Sequence, residues 1–395
     1  VATNATPEQV QKLFRRSRLI GRRFQIVHVT YFGKDRPEII EVSTFRAVLE
    51  SVGEHIAESG RILRDNVWGT HAEDAARRDF TINAMYYDPS SETVLDYHGG
   101  MGDIRSKTIR MIGNPTKRYR EDPVRMLRAI RFAAKTGFQI EPKTLAPIHE
   151  LGQLIHDVPI ARLFDAILKL MMSGPAWAGI QALRHANLHH GLLPFMARAL
   201  EDPQAAQFIE EALRNTDERI QVGKSVSPGF LFAALLWPDL EKQWQSLRKT
   251  GMPALAALHA AIDAVVAPSH TGISIQRRHE GDMRDIWTMQ PRFEKRVGRY
   301  PDRLVEVPRF RAGYDFMLLR SQTGYCKPSL GQWWTDFYHA DLPQREALLA
   351  TAKLEDIDSG QTPGNPNRKR RRRPKKTKPG PEIQPDSGLN GAKQN

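Results

Sequence analysis

Three carboxylates in this chain sit among guanidinium groups at spacings that could serve phosphate chemistry. Asp79 follows Arg77 and Arg78 in RRDFTIN, with Asn83 one helical turn later, and Glu121 and Asp122 lead into Arg125 and Arg128 in REDPVRMLR. A carboxylate beside two arginines is commonly a paired surface acid. In nucleotidyl transfer the same residue types have defined tasks: carboxylates hold the magnesium ions that bridge a triphosphate and activate the attacking hydroxyl, while arginines neutralise phosphate. Glu41, closing EIIE, is a further candidate acid, although on an exposed edge strand it would mean little. Glu121 and Arg125 present an acceptor beside a donor, the complement of N6 and N1 of adenine and equally of N4 and N3 of cytosine. Such a fork takes either base and rejects guanine and uracil. As a solvated i,i+4 ion pair the same two residues would contribute only about 0.3–0.5 kcal/mol. Taken alone, they leave both readings open.

The fork requires a helix, and the sequence supplies one over residues 122–136. At about 100° per residue, Pro123, Leu127, Ile130 and Ala134 fall on one face and Glu121, Arg125, Arg128 and Phe132 on the opposite one. Pro123 suits a first helical turn, where Glu121 and Asp122 put negative charge near the N-terminus. Asp79 is expected on a single helix from His71 to Tyr87, with Phe80, Ile82 and Met85 packing inward. Upstream, LIGRRFQIVHVTYF (19–32) and EIIEVSTF (38–45) read as two strands of a hairpin turning at GKDRP, and Val94-Leu95-Asp96-Tyr97 as a short strand. Residues 47–70 suggest a mobile loop. Thr6-Pro7-Glu8-Gln9 fits a capping box opening a helix at Pro7, which makes Val1 the expected last residue of a strand. Beyond Tyr119 helical runs dominate, at 142–155, 159–172, 176–187, 228–237 and 253–266.

At 395 residues the chain exceeds one core, so two or more packed units are expected. The lone cysteine, Cys326, excludes a disulfide framework and a cysteine-rich zinc site. HANLHH places His185, His189 and His190 at metal-like spacing, but no acid or thiol cluster accompanies them. No apolar run reaches membrane-span length. The formal charge of +13 is concentrated at the end: residues 359–395 hold ten Lys and Arg against Glu382 and Asp386. Arg368, Lys369, Arg370, Arg371, Arg372, Arg373, Lys375 and Lys376 stand in a run expected to be disordered and to bind RNA. Residues 284–320 interleave arginines with Trp287, Phe293, Tyr300, Phe310, Tyr314 and Phe316, which suits either RNA or core helices with arginines facing outward.

The order LIGRRFQIVHV, EIIEVSTFR, ILRDNVWG, RRDFTINAMYYD, DYHGGMGDI and REDPVRMLRAIRFAAKTGF resembles the tRNA nucleotidyltransferase/poly(A) polymerase family over residues 1 to about 352. The resemblance implies an α/β nucleotidyltransferase head whose first strands are missing (1–112), a base-selecting helical neck (113–175), an arginine-rich all-α body (176–355) and a disordered basic tail (356–395). It implies Asp79 and Glu41 as catalytic, metal-site acids, without choosing which is the third ligand. The implied nucleotide-binding set is Arg78, Asn83, Glu121, Asp122, Arg125, Arg128 and Arg131, with Mg²⁺ as cofactor, ATP and RNA 3′ ends as partners, RNA-decay proteins as candidate partners, no membrane, and a cytoplasmic location. The fork cannot separate adenylation from CCA addition. LIGRRFQIVHV is similar to the signature that marks bacterial poly(A) polymerases against CCA-adding relatives, and the basic tail agrees, so adenylation is favoured.

In this family an Asp-x-Asp strand precedes the VATNATPEQV segment, and a Gly-Gly-x-x-Arg-Asp loop precedes that strand. Neither motif is in the chain, so the resemblance predicts a fragment that does not polymerise by itself. A non-catalytic RNA-binding protein is the alternative from a different class.

Overall fold

A computed structural model describes residues 1–21, 25–33, 37–47, 67–189, 194–267 and 275–358. The expected loop over 47–70 lies mostly outside the described residues, as do His190 and the basic tail.

The first unit is a small four-stranded sheet. Strand β1 (Ala2–Thr3) runs parallel to β4 (Pro37–Thr44), and β4, β3 (Ile26–Phe32) and β2 (Ser17–Ile20) follow antiparallel in the order β1-β4-β3-β2. Val27 opposes Val42 and His28 opposes Glu41, so one face of the hairpin is apolar. Helix α1 (Pro7–Leu13) closes that face, its Val10 meeting Val27 and Val29 in a compact core. The capping box forms as expected: the Gln9 amide donates to Thr6 Oγ1 at 3.4 Å and the Thr6 amide to Gln9 Oε1 at 2.8 Å. Arg46 and Trp68 form an antiparallel bridge, and Gly69 lies so close to the Ala47 backbone that a Cβ there would sit 2.6 Å from it.

The single helix expected over His71–Tyr87 does not form. Helix α2 (His71–Ala76) stops, the chain bends at Arg78 and Asp79, Phe80 extends, a 3-10 turn covers Thr81–Asn83, and β5 (Met85–Asp88) pairs with β6 (Thr93–Asp96). The cause is non-local pairing. The Thr81 amide donates to the Arg110 carbonyl at 3.1 Å and the Ile112 amide to the Asp79 carbonyl at 2.9 Å, so this stretch joins the 110–112 segment. Such bonds, with Phe80 fully buried, outweigh local helical preference.

After α3 (Gly100–Arg105), β7 (Thr108–Ile109) pairs parallel with β8 (Gln139–Ile140) and ties the first unit to the helices that follow. The expected helix at 122–136 is preceded by another. Helix α4 (Pro115–Glu121) ends at Asp122, whose backbone is extended at φ −151° and ψ 94°, and α5 (Val124–Thr136) begins beyond Pro123. The residue before a proline disfavours helical backbone, so Glu121 closes one helix rather than flanking the start of the next. Val124, Met126, Leu127 and Ile130 of α5 are buried, and Gly137, at φ 71°, stops the helix in the left-handed conformation.

Helix α6 (Pro142–Leu151) packs on α4, α7 (Ile160–Met171) and α8 (Ala176–His185) pack on α5, and one continuous apolar core runs from Phe80 through Phe164 and Trp237 to Phe316. A second core gathers Phe293, Phe310, Tyr314 and Trp334. The rings of the arginine-aromatic stretch are thus largely interior, while Arg284 pairs with Asp263 and Glu280, Arg309 with Asp282 and Asp285, and Arg311 with Asp315. The core-helix reading of that stretch is the one its rings fit, with Arg320 as an exception, buried over the Trp237 ring. Among the described residues no helix is long and apolar enough to cross a membrane.

Candidate active site

The irregular Arg77–Asn83 segment, the end of β4, α5 and α7 enclose a cleft of about 810 Å³. Its lining includes Arg78, Asp79, Asn83, Glu121, Asp122, Arg125, Arg128 and Arg131, so residues far apart in sequence converge on one space.

Asp79 owes its position to the break in the helix. Its Oδ1 accepts the Phe80 amide at 3.0 Å and Asn83 Nδ2 at 3.2 Å, and its Oδ2 takes a close ion pair from Arg128 Nε on α5. Burial raises the carboxyl pKa, but the Arg128, Asn83 and Phe80 donors outweigh it and hold the group below the usual range. Arg128 also lies over Phe132, its guanidinium carbon 5.2 Å from the ring centroid. Asp79 therefore couples the first unit to α5.

The Glu121–Arg125 pair forms with Arg125 Nη1 at 2.9 Å from Glu121 Oε2, and both side chains are mostly buried, at 13% and 19% exposure. A solvated outer-face pair would not be enclosed in this way. Arg125 Nη1 also donates to the Arg118 carbonyl at 2.8 Å, which fixes the guanidinium plane. Arg118, which sequence reasoning missed, holds the other side: Nη1 reaches the same Glu121 oxygen at 3.1 Å, and Nη2 donates to the carbonyls of Arg77 and Arg78 at 2.6 Å each. Asp122 is gripped by Arg162 Nη2 of α7 at 3.1 and 3.0 Å. Arg162, Asp165 and Lys169 all line the cleft, and their three- and four-residue spacing was the sequence signal for them.

Glu41 does not join this group. It lies outside the cleft lining, 69% exposed, with its carboxylate 3.5 Å from His28 Nε2 across the strand pair. Strand alternation sets this, because Val42 takes the core-facing position.

The chain is similar to known proteins along most of its length. A model described as the poly A polymerase head domain matches residues 1–110, one described as a probable RNA and SrmB-binding site of polymerase A matches 137–200, and one described as the polymerase A arginine-rich C-terminus matches 250–377. Poly(A) polymerase I of Salmonella typhi is 42% identical over 390 residues, covering 96% of this chain and 81% of that protein. The chain belongs to the bacterial poly(A) polymerase family. A CCA-adding enzyme of Bacillus velezensis is 33% identical over 219 residues, covering 55% of this chain and 53% of that protein. The longer and closer match is to poly(A) polymerases, whose reaction is template-independent addition of AMP from ATP to RNA ends. A solved tRNA-processing enzyme complex shares the fold at 20% identity and a TM-score of 0.51, covering 91% of this chain and 87% of that chain.

Nucleotidyltransferases of this family generally use Mg²⁺. The described residues do not fit such a site: the Asp79 oxygens are engaged by Arg128, Asn83 and the Phe80 amide, Glu41 stands outside the cleft, and no three His, Cys, Asp or Glu among the described residues gather around a metal-sized space.

Proposed function

We propose that the cleft holds ATP with its adenine on the Glu121–Arg125 pair and its phosphates among Arg78, Arg128 and Arg131, so that an RNA 3′-hydroxyl can attack the α-phosphorus and displace pyrophosphate. The observation that carries this reading is the enclosed fork. Glu121 Oε2 receives both arginines, while among the described residues nothing donates to Oε1, which leaves an acceptor for the adenine amino group beside the Arg125 donor for N1. Arg78, Arg128 and Arg131 border the same cleft and supply fixed positive charge where phosphate negative charge would lie. Asp79 and Asn83 then act by positioning Arg128 and the turn that carries them. In this reading neither Asp79 nor Glu41 takes up a proton or holds a metal.

We further infer a head over 1–112, a neck over 113–175 and a body over 176–355, with RNA held by the neck and body and by the basic run from Arg368 to Lys376. The polymerase A head model, matching 1–110, supports the head, and the models for RNA binding and for the arginine-rich C-terminus, matching 137–200 and 250–377, support RNA contact beyond it. The enzyme would act in the cytoplasm on RNA 3′ ends, with RNA-decay proteins as partners. The test is equilibrium titration of the full chain with ATP, GTP and UTP. Tighter binding of ATP than of the other two is expected, and equal affinities would refute the fork.

A further inference from the structure

Beside the fork and the Asp79–Arg128 pair lies a third buried carboxylate, on the short helix before Arg77. Asp74 is 7% exposed and is the meeting point of three elements. Its Oδ2 accepts Arg78 Nη2 at 3.0 Å and Arg78 Nε at 3.3 Å, together with a close hydrogen bond from the Tyr86 hydroxyl on β5. Its Oδ1 accepts the backbone amide of Arg46, at the end of β4, at 3.2 Å. The Arg78 guanidinium also lies over the Tyr86 ring, 5.5 Å from its centroid. Arg78 is thus held edge-on by the carboxylate and face-on by the phenol ring, two restraints that together fix both the direction and the plane of its guanidinium.

We propose that Asp74 and Tyr86 are positioning residues for ATP: they aim Arg78 into the cleft so that its remaining N–H donors meet the triphosphate without a reorganisation cost. This deepens the reading that Arg78 binds phosphate, and rests on it. A long arginine left unrestrained would have to give up its rotamer freedom on binding, whereas one already locked keeps that freedom out of the binding equilibrium. The electrostatics agree. Burial would raise the Asp74 pKa, yet the Tyr86 and Arg78 hydrogen bonds overcome it and keep the carboxylate ionised, while burial followed by the Asp74 bond pushes the Tyr86 phenol upward. The acceptor stays charged and the phenol stays a donor across the working pH range. Both Asp74 oxygens are already bonded within the protein, and a carboxylate would repel a triphosphate, so it acts through Arg78.

The experiment is equilibrium binding of ATP and of adenosine to the full chain and to Asp74→Asn, Tyr86→Phe, Arg78→Ala and Asp74→Asn/Arg78→Ala, with thermal unfolding of each. Asp74→Asn should weaken ATP about tenfold, the loss of one charge-assisted restraint, while leaving adenosine affinity unchanged. Tyr86→Phe, which keeps the ring under Arg78 and disturbs folding least, should weaken ATP in the same direction by a smaller factor. In the Arg78→Ala background Asp74→Asn should have no further effect on ATP, which a merely structural role would not produce. Equal losses for ATP and adenosine, an undiminished Asp74→Asn effect without Arg78, or unchanged ATP binding in both Asp74→Asn and Tyr86→Phe would each overturn the proposal. If Arg78→Ala by itself leaves ATP affinity intact, the phosphate reading of Arg78 fails first, and the proposal built on it falls with it.

Discussion

Replacing Arg125 by alanine tests the fork directly. Arg125 makes two bonds through one nitrogen, to Glu121 at 2.9 Å and to the Arg118 carbonyl at 2.8 Å, which leaves the rest of the guanidinium edge for the base. The truncation removes the donor to adenine N1 but not the acceptor, since Arg118 still holds Glu121 at 3.1 Å. Adenine therefore loses one of two base contacts. A hydrogen bond to a charged group contributes about 1.5–3 kcal/mol, so ATP affinity should fall roughly 10- to 150-fold. GTP should fall much less, because the N1–H of guanine faces the same cation as a donor and gains nothing from it. The ATP/GTP ratio should narrow by nearly the whole ATP loss. Arg125→Lys should narrow it too, since an ammonium keeps the charge but not the planar edge. The assay is competition binding of ATP, CTP, GTP and UTP, with melting curves to show that the variants fold. An unchanged ATP/GTP ratio in Arg125→Ala would refute the fork and leave Glu121–Arg125 as a structural pair.

Arg118→Met should lower stability by about 2–4 kcal/mol, read as a fall in melting temperature, because it removes donors to two carbonyls and to Glu121 from a side chain only 13% exposed; a change under about 1 kcal/mol would sink that estimate. Deleting residues 359–395, which carry ten Lys and Arg, should weaken RNA binding and flatten its log–log salt slope, whereas equal slopes would rule the segment out as an RNA arm. Asp79, its carboxyl held below the usual range, contributes stability above about pH 4 that is lost as the pH falls through its depressed value. The Asp79→Asn variant should be less stable at neutral pH and lose less on acidification below about pH 4, and parallel acid-unfolding curves would contradict this.

The parts legible in the sequence are those decided by local chemistry. The α1 capping box, the pairing of Ile26–Phe32 with Pro37–Thr44 and the buried stripe of α5 all follow from nearby residues; the single strand read over 19–32 is instead two, β2 and β3, which pair antiparallel with each other. Where distant segments decide, the reading failed. RRDFTIN has helical neighbours, but the Asp79 and Phe80 backbone pairs with residues 110–112, some thirty positions on, and that pairing turns the Asp79 carboxylate toward α5. The helical run read at 228–237 extends in the structure to Lys249, past Pro238, with Leu240 and Trp244 buried beyond the proline. The fork residues were legible by type and spacing. Their burial, which separates a base reader from a surface ion pair, depends on Arg118 and Arg162, and neither can be assigned to that task without knowing which backbone it meets.

The cleft works as one unit because a single side chain spans its two halves. Arg118 belongs to α4, whose last residue is Glu121, yet its other nitrogen is bonded to the carbonyls of Arg77 and Arg78 in the segment that carries Asp79. Asp79 in turn is bonded to Arg128, one turn beyond Arg125 on α5. The contacts form a closed circuit: fork to Arg118, Arg118 to the Arg77–Arg78 backbone, Asp79 to Arg128, and along α5 back to Arg125. In the proposed binding mode, a base that fits the fork holds Glu121 and Arg125 where this circuit already keeps them, so the arginines proposed for the phosphates stay in register. A base that displaces either residue must also disturb the backbone beside Arg78. If the fork reads the base as proposed, base recognition and phosphate placement are mechanically coupled, and a mismatched nucleotide is penalised twice, once in hydrogen bonds at the ring and once in the alignment of its triphosphate.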